Sequence, residues 1–401
     1  MQYREMGKTG DRVSALGYGC MRFPRTGGRI DEERTKKQII SAIENGVNYF
    51  DTAYFYPGSE TALGNILAGG YRDKVMIATK MPTPLIHSGK DMETTFETQL
   101  KRLKTDHIDY YLIHSLYSIE GWKRLKDLGA VEFLEKIKKE GKIRRIGFSY
   151  HGEGRNFKAV VDDYPWDFCQ IQYNYMDENF QAGKEGLLYA ASKGLGVIIM
   201  EPLKGGLLGD KMPPRIAETW KDAGMKGTPA EWALRWIWNH PEVSVVLSGM
   251  NHEDQVEENI RVAETALPNA LSDTELQYVG RVRTALRNVI KVGCTGCGYC
   301  MPCPAGVNIP GCFNHYNDRA IYAKKAGSLE YVAALSGVDG GKRSYASLCR
   351  DCGKCEQHCP QHLPIRNHLK EVSKEMEPFY FKPLVGMIGG YYKIRKAFSR
   401  G

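Results

Sequence analysis

Residues 74–80 read KVMIATK, a short apolar run that ends on a lysine, and it is one of eight such runs in the first 250 residues. The other seven are SALGYGC (14–20), VNYFDTA (47–53), HIDYYLIHS (107–115), IRRIGFSY (143–150), FCQIQYN (168–174), GVIIMEP (196–202) and VSVVLSG (243–249). Their apolar, β-branched composition is typical of strands buried on both faces. Helical periodicity separates them, so the pattern predicts an α/β protein with a (β/α)8 TIM barrel. A doubly wound open sheet is the alternative that periodicity alone does not exclude.

The composition sets limits on the class of protein. The 401 residues exceed one ordinary domain, and 42% hydrophobic with 25% charged residues excludes a disordered, collagenous or coiled-coil chain. We predict no transmembrane helix, because no apolar run reaches the length needed to span a bilayer. The first residues lack the apolar core of a signal peptide, so we expect a cytoplasmic protein. The net charge of +8 is mild for this length and predicts no nucleic-acid partner.

Residues suited to proton transfer stand where the predicted strands end. Asp51 lies near the end of the second strand, and Tyr56 follows in its loop. Lys80 ends the third strand and His114 nearly ends the fourth. Each one alone has an ordinary structural explanation as a helix cap, a packed ring or a surface charge. Because catalytic groups in a barrel lie at the C-terminal ends of the strands, the four together predict an active site on one rim.

These residues lie in motifs that resemble those of the aldo-keto reductases. DTAYFYPGSE (51–60) resembles the D-T-A-x-x-Y-G-x-x-E segment of that family. Further landmarks resemble the rest of the family pattern in the same order: LGYGCMR, IATK, YYLIH, IGFSY, QIQYN, PLKGGLL and SGMN…EEN. The resemblance covers about residues 1–285 and implies an NADPH- or NADH-dependent enzyme that reduces a small-molecule carbonyl substrate by hydride transfer.

The resemblance gives each rim residue a role. Tyr56 would protonate the developing alkoxide as a general acid. Lys80 would stabilise the resulting phenolate, and Asp51 would keep Lys80 charged and oriented. His114 would orient the carbonyl group and polarise it by hydrogen bonding.

The resemblance also places the nucleotide across the mouth of the barrel, so no GxGxxG motif is expected. Ser149 and Gln170 would bind the nicotinamide amide, residues 203–207 would shape the pyrophosphate loop, and residues from Ser248 onward would hold the adenosine end. For the last helix, an ordinary solvated face is the alternative. The full set implicated in cofactor binding is Gly19, Cys20, Met21, Ser149, Gln170, Glu201, Leu203, Gly205, Gly206, Leu207, Ser248, Gly249, Asn251, Gln255, Glu258 and Asn259.

Three departures from the family pattern concern the nucleotide. Tyr150 stands where the family often has asparagine, and Glu201 stands where many members place a tyrosine that stacks on the nicotinamide. Met250-Asn251 and Gln255 replace the basic residues that read a 2′-phosphate. Because binding that phosphate without cations is costly, NADH is at least as well suited as NADPH.

Nine of the 11 cysteines lie between residues 294 and 359, in two runs. The second run, C-x2-C-x2-C-x3-C-P from residue 349, has the spacing of bacterial ferredoxins, and the first, from residue 294, is one residue shorter before its last cysteine. In such pairs the fourth cysteine commonly ligates the other cluster. We therefore predict one [4Fe-4S] cluster on Cys294, Cys297, Cys300 and Cys359, and another on Cys349, Cys352, Cys355 and Cys303. A zinc site, or a cluster in the second run only, are the alternatives.

The cysteine distribution also predicts the domain limits. Residues 1–290 would form the barrel, 291–375 a mostly α-helical ferredoxin-like iron–sulfur domain, and 376–401 a C-terminal tail. The tail is apolar and then basic, with interrupting proline and glycines, so we expect it to pack on the protein and not to span a membrane, with a membrane-surface role as the alternative.

A chemical mismatch leaves the role of the clusters open. Nicotinamide transfers two electrons as hydride, whereas each cluster transfers one electron at a time. The clusters therefore either exchange electrons with a redox protein partner or with a flavin that no motif reveals, or they only stabilise the structure. The alternative function is an electron-transfer or redox-sensing subunit, in which the barrel binds nucleotide and the ferredoxin-like domain docks a partner.

Overall fold

The computed structural model describes residues 1–152, 154–222, 226–322, 331–332, 334–336, 342–383 and 385. The chain divides into two compact units. The barrel unit takes Met1–Lys204 and Gly227–Val279, and the cysteine unit takes Gly205–Lys226 and the chain from Gly280 onward. The domain limits at residues 290 and 375 stay a prediction, and residues 384 and 386–401 of the proposed tail lie outside the described residues.

The barrel unit contains eight parallel strands that close on themselves. They are β1 (Leu16–Gly19), β2 (Tyr49–Asp51), β3 (Met76–Met81), β4 (Ile108–Leu116), β5 (Ile143–Tyr150), β6 (Phe168–Gln172), β7 (Gly196–Met200) and β8 (Val243–Ser248). Each strand pairs with the next in the chain, and β8 pairs with β1. Each of the eight apolar runs coincides with one barrel strand, although β3 and β4 each extend one residue beyond their runs. The predicted (β/α)8 fold is confirmed and the open sheet is excluded.

Large side chains fill the inside of the barrel. The rings of Tyr49 and Tyr110 meet edge to face at a centroid distance of 5.1 Å, and Tyr110 meets Phe168 in the same way at 5.1 Å. Met6, which lies between the short hairpin strands Tyr3–Glu5 and Arg12–Ser14, joins this buried cluster. The barrel is therefore a packed core, and chemistry is confined to its rim and loops.

Helices alternate with the strands and continue into the cysteine unit. They are α1 (Glu32–Glu44), α2 (Ser59–Leu67), α3 (Gly89–Leu103), α4 (Ile119–Asp127), α5 (Ala130–Lys139), α6 (Gly154–Asp162), α7 (Gly183–Ser192), α8 (Pro214–Asp222), α9 (Pro229–Trp238), α10 (Glu253–Ala263), α11 (Asp273–Arg287), α12 (Ile309–Tyr322), α13 (Lys354–Gln357) and α14 (Ile365–Met376). Asp31 caps α1 by accepting from the Arg34 amide at 3.1 Å, as an N-cap aspartate should. Among the described residues, no helix combines the length and the apolar character that crossing a bilayer requires.

The cysteine unit has its own apolar core. Phe313 of α12 and Leu369 and Val372 of α14 are buried together, along with Val307 and Tyr331. All regular elements assigned to the described residues of this unit are helices, which agrees with the predicted mostly α-helical ferredoxin-like domain.

Candidate active site and cluster ligands

Lys80 and Asp51 form a buried ion pair at the C-terminal rim of the barrel. The Lys80 ammonium donates to both carboxylate oxygens of Asp51 and to the carbonyl oxygen of Thr52, each at 2.7 Å. Burial raises the pKa of Asp51, and the neighbouring Lys80 charge opposes that rise. The three acceptors match the three hydrogens of the ammonium, so the charge is fixed in position.

Tyr56 lies beside this pair, in the loop that leaves β2. Its amide donates to the carbonyl oxygen of Ala53 at 3.0 Å, which makes a tight turn of the loop. The Lys80 Nζ atom lies 5.1 Å from the centroid of the Tyr56 ring. The ring of His114 meets that of Tyr56 edge to face, with a centroid distance of 6.3 Å. The structure therefore brings the four predicted catalytic residues together.

His114, on β4, is held as a neutral ring. Burial lowers its pKa well below the usual value, and the charges of Lys80 and His151 lower it further. A neutral imidazole carries one N–H donor and adds no competing charge beside Lys80. Phe55, whose ring centroid is 5.9 Å from that of His114, is 40% exposed and covers this part of the rim.

His151 is a residue of this site that the sequence analysis missed. Its amide donates to the carbonyl oxygen of Leu116 at 2.8 Å, which connects the ends of β4 and β5. Its ring lies 5.9 Å from that of Tyr117 and is 6% exposed. The sequence does contain a signal for His151, because this titratable residue directly follows the Ser149-Tyr150 pair at the end of a predicted strand.

Ser149 and Gln170 are neighbours on adjacent strands, β5 and β6. Ser149 accepts from the Ser115 amide through Oγ at 2.8 Å, so its own hydroxyl hydrogen can still be donated. Oε1 of Gln170 is buried and makes no hydrogen bond within the described structure. Such an oxygen is costly unless a ligand supplies a donor. A nicotinamide carboxamide carries that donor, so this pair fits the predicted cofactor.

Arg22 connects several predicted cofactor residues, although the sequence analysis did not single it out. Its guanidinium lies 3.7 Å from the carboxylate of Glu201. Its side chain also packs on Gly249, where an added Cβ would lie 3.1 Å from Arg22 Cδ. Since Arg22 follows Gly19, Cys20 and Met21 directly, this contact joins the ends of β1, β7 and β8.

The residues predicted for the adenosine end bond mainly to one another. Asn259 donates to the hydroxyl of Ser248 at 2.8 Å, and the amide of Asn251 donates to the side chain of Gln255 at 3.0 Å. Glu258 accepts from the hydroxyl of Thr228 at 2.6 Å. Leu203 also lies in the barrel unit, half-buried.

The remaining predicted cofactor residues, Gly205, Gly206 and Leu207, belong to the cysteine unit. Gly205 has a φ of +66°, and an added Cβ would lie 2.3 Å from the carbonyl oxygen of Thr295. Thr295 stands between the first two cysteines of the first run. This segment is therefore packed directly against a cysteine loop, with no room for a larger residue.

The two cysteine runs fold alike. The amide of Gly296 donates to the sulfur of Cys294 at 3.4 Å, and the amide of Asp351 donates to the sulfur of Cys349 at the same distance. Gly296 and Asp351 occupy equivalent positions and both have positive φ, +69° and +57°. Amide donors to ligand sulfurs are a feature of iron–sulfur sites and help to set their potentials.

Three cysteines of the first run and one of the second line a common pocket. Its empty volume is about 300 Å³, part of it open to solvent, and mostly apolar residues complete its walls. The four thiols are those of Cys294, Cys297, Cys300 and Cys359. Zinc requires all its sulfurs about 2.3 Å from one ion. Among the described residues, no group of three such side chains is placed to hold a single ion.

The second proposed ligand set is more exposed. Cys349, Cys355 and Cys303 are half-buried, whereas Cys352 is exposed. The ninth cysteine of the region, Cys312, is fully buried, with its sulfur 3.8 Å from the Tyr331 hydroxyl.

Comparisons with known proteins identify both parts of the chain. Residues 15–274 match the Aldo/keto reductase family. The chain belongs to that family. Residues 293–363 match the 4Fe-4S dicluster domain. This aldo/keto reductase is therefore an NAD(P)H-dependent oxidoreductase with an appended iron–sulfur domain.

Two curated relatives and one solved structure each match between 67% and 72% of this chain. An uncharacterised oxidoreductase, YrpG, from Bacillus subtilis is 29% identical over 67% of this chain and 92% of its own length. L-galactose dehydrogenase from Arabidopsis thaliana is 29% identical over 72% of this chain and 93% of its own. The solved holo structure of aldo-keto reductase AKR11C1 from Bacillus halodurans has a TM-score of 0.59 at 26% identity, covering 70% of this chain and 96% of that one.

Proposed function

We propose that this aldo/keto reductase reduces the carbonyl group of a small molecule at the rim formed by Asp51, Tyr56, Lys80 and His114. The observation that carries the proposal is the position of Tyr56, whose ring centroid lies 5.1 Å from the Lys80 ammonium and 6.3 Å from the centroid of the His114 ring. A phenol beside a fixed positive charge is suited to release a proton, and a neutral imidazole beside it is suited to donate a hydrogen bond.

When bound, the nicotinamide supplies the hydride that the carbonyl carbon receives. Tyr56 gives its phenolic proton to the carbonyl oxygen, so the product is an alcohol and solvent later returns the proton to the phenolate. Lys80 stabilises that phenolate by its charge, since its hydrogens are donated to Asp51 and Thr52. His114 donates to the carbonyl oxygen and orients it, and its burial beside the Lys80 charge keeps it neutral.

The surroundings of the proposed adenosine end favour NADH. The segment after Met250 carries the carboxylates of Glu253 and Asp254, which would repel a 2′-phosphate. The guanidinium of Arg34 is paired with Glu253 at 3.0 and 3.2 Å, so this cation is engaged. We expect kcat/KM with NADH to exceed that with NADPH, and the reverse order would contradict this assignment.

The cysteine runs, in this proposal, hold two [4Fe-4S] clusters that exchange electrons with an outside partner. The pocket shared by Cys294, Cys297, Cys300 and Cys359 supports ligation across the two runs. The exposure of Cys352 supports access from outside to the other set. A purely structural pair of clusters would not need an exposed ligand, and a flavin is not required for carbonyl reduction.

Anaerobic purification, an iron count and a carbonyl assay test the proposal together. Two clusters give about eight iron atoms per chain, and one gives about four. The carbonyl panel should include aldoses and small aldehydes, because L-galactose dehydrogenase and the L-glyceraldehyde 3-phosphate reductase of Escherichia coli O157:H7 are among the relatives. Turnover with NADH while the clusters keep their oxidation state supports the reductase. Bleaching of the clusters by NADH without any carbonyl turnover favours the electron-transfer subunit instead.

A further inference from the structure

We propose that the surface around the second cysteine run is a docking site for an acidic protein that carries one electron. The proposal rests on the second [4Fe-4S] cluster proposed above. Four cations, here called the basic rim, define the surface: Lys342, Arg343, Arg350 and Lys354.

The ligands of the two proposed clusters differ in how accessible they are from the surface of the protein. The first ligand set lines a pocket whose other walls include Ile309, Phe313 and Leu363. In the second set, Cys352 is exposed and the residues on either side of it in the sequence, Asp351 and Gly353, are exposed or half-buried. Electron transfer between proteins requires close approach of the two redox centres. The second set is therefore the more accessible of the two to a partner.

Two cations of the basic rim stand between the ligands themselves. Arg350 follows Cys349, and Lys354 precedes Cys355. Both side chains are exposed, and neither has an acidic partner among the residues that the structure describes.

The acidic residues of the same run are already neutralised. Glu356 pairs with Arg366 at 2.9 Å, and Asp351 pairs with Lys370 at 2.9 Å. The guanidinium of Arg366 also lies 3.5 Å from Asp351. The run therefore presents unbalanced positive charge to solvent.

The other two cations lie beside the fourth proposed ligand. The carbonyl oxygen of Arg343 would lie 3.8 Å from a Cβ added to Gly306, and the amide of Gly306 donates to the carbonyl oxygen of Cys303 at 2.8 Å. Lys342 and Arg343 are exposed, and no acidic residue of the described chain pairs with them.

An acidic carrier complements this surface. Opposite charges steer association and fix the orientation of a transient complex, and they make its affinity fall as salt rises. In each encounter one electron passes between carrier and chain, so that one is reduced as the other is oxidised and no atom moves. The competing explanation is that the basic rim only offsets the negative charge of four thiolates. That role would affect cluster retention and not the affinity for a partner.

The test measures binding of an acidic [2Fe-2S] ferredoxin to the anaerobic holoprotein, with Kd followed as a function of salt. Arg350→Gln with Lys354→Gln should weaken binding about fivefold or more at low salt and flatten its salt dependence. Lys36→Gln with Lys37→Gln is the matched control, because these two lysines of α1 are also exposed and lack an acidic partner within the described residues. Basic cytochrome c is the opposite probe and should bind more weakly than the ferredoxin.

A second variant, Lys342→Gln with Arg343→Gln, keeps the test decisive if the first one loses iron. The proposal is overturned if the ferredoxin does not bind, if the control pair weakens it equally, or if cytochrome c binds better. It is also overturned if both basic-rim variants, the one at Arg350 and Lys354 and the one at Lys342 and Arg343, change only the iron content. The reductase proposal is tested separately, by the carbonyl assay. If the protein reduces no carbonyl compound, the ferredoxin titration still tests the docking site.

Discussion

The Lys80 ammonium lies 2.7 Å from both carboxylate oxygens of Asp51, although only 1% of the lysine and 3% of the aspartate are exposed. The two residues come from adjacent strands, since Asp51 of β2 pairs in register with Ala78 of β3. A buried charge is tolerated at the rim because its counter-charge is built into the neighbouring strand. Tyr56, in the loop between these strands, therefore faces an ammonium that cannot move away.

Replacing Tyr56 by phenylalanine removes the proposed proton donor and leaves the ring. We expect kcat for carbonyl reduction to fall at least about 100-fold, because general acid catalysis contributes on that scale. Fluorescence titration should show an NADH Kd within about twofold of the native value, since the phenol acts on the substrate.

Tyr54 provides the matched control, because it lies in the same loop and packs on Arg102, whose guanidinium is 4.3 Å from its ring centroid. Tyr54→Phe should change kcat by less than about twofold, as expected for a surface contact. Near-native turnover by Tyr56→Phe would remove the proposed acid.

The Asp51–Lys80 pair should show strong coupling in unfolding experiments. Asp51→Asn leaves a buried ammonium without its carboxylate and should lower the free energy of unfolding by about 3–5 kcal/mol. Asp51→Asn combined with Lys80→Met removes both charges and should be less destabilising than the sum of the two single variants, by at least about 2 kcal/mol. Denaturant titration of the four proteins measures this, and simple additivity would show that the pair is not coupled. All three variants should lack carbonyl reduction.

The stability of the protein should depend on pH through His114. The pKa of His114 is lower in the folded chain than in the unfolded one, so the stabilisation from its neutral burial is present above the unfolded pKa and is lost as pH falls below it. With an unfolded pKa of about 6.5, native protein should lose up to about 1.4 kcal/mol from this group between pH 7.5 and 5.5. The variant His114→Gln should not show that loss.

The measurement compares denaturant unfolding of the native protein and the variant at the two pH values. His87 is exposed, so His87→Gln should follow the native protein at both. Equal acid sensitivity of native protein and His114→Gln would mean that His114 is not buried as a neutral ring.

The sequence predicted the barrel and the four rim residues because strand-end position is a local property. Asp51, Lys80 and His114 follow or end apolar runs, and closure of the sheet brings those ends together. The contact of Arg22 with Glu201 was not predictable in this way, since it depends on how two loops meet. The packing of Gly205 was likewise not predictable from the sequence, because this residue packs on Thr295, which is 90 residues further along the chain.

Exchange of ligands between the two cysteine runs can be tested by pairs of serine variants. Cys359 lies in the second run of the sequence but lines the pocket of the first. If ligation crosses, Cys300→Ser with Cys359→Ser should remove one cluster and leave about four iron atoms. Cys355→Ser with Cys359→Ser should remove both clusters and leave nearly none.

Ligation within each run predicts the opposite pattern, with the pair at Cys300 and Cys359 losing all iron and the pair at Cys355 and Cys359 keeping about half. Cys312→Ala should keep about eight iron atoms, because this buried cysteine is outside both proposed sets. Electron paramagnetic resonance of each reduced variant identifies which cluster signal remains. Crossed ligation would make the two runs mutually dependent, so neither could hold its cluster if the other were deleted.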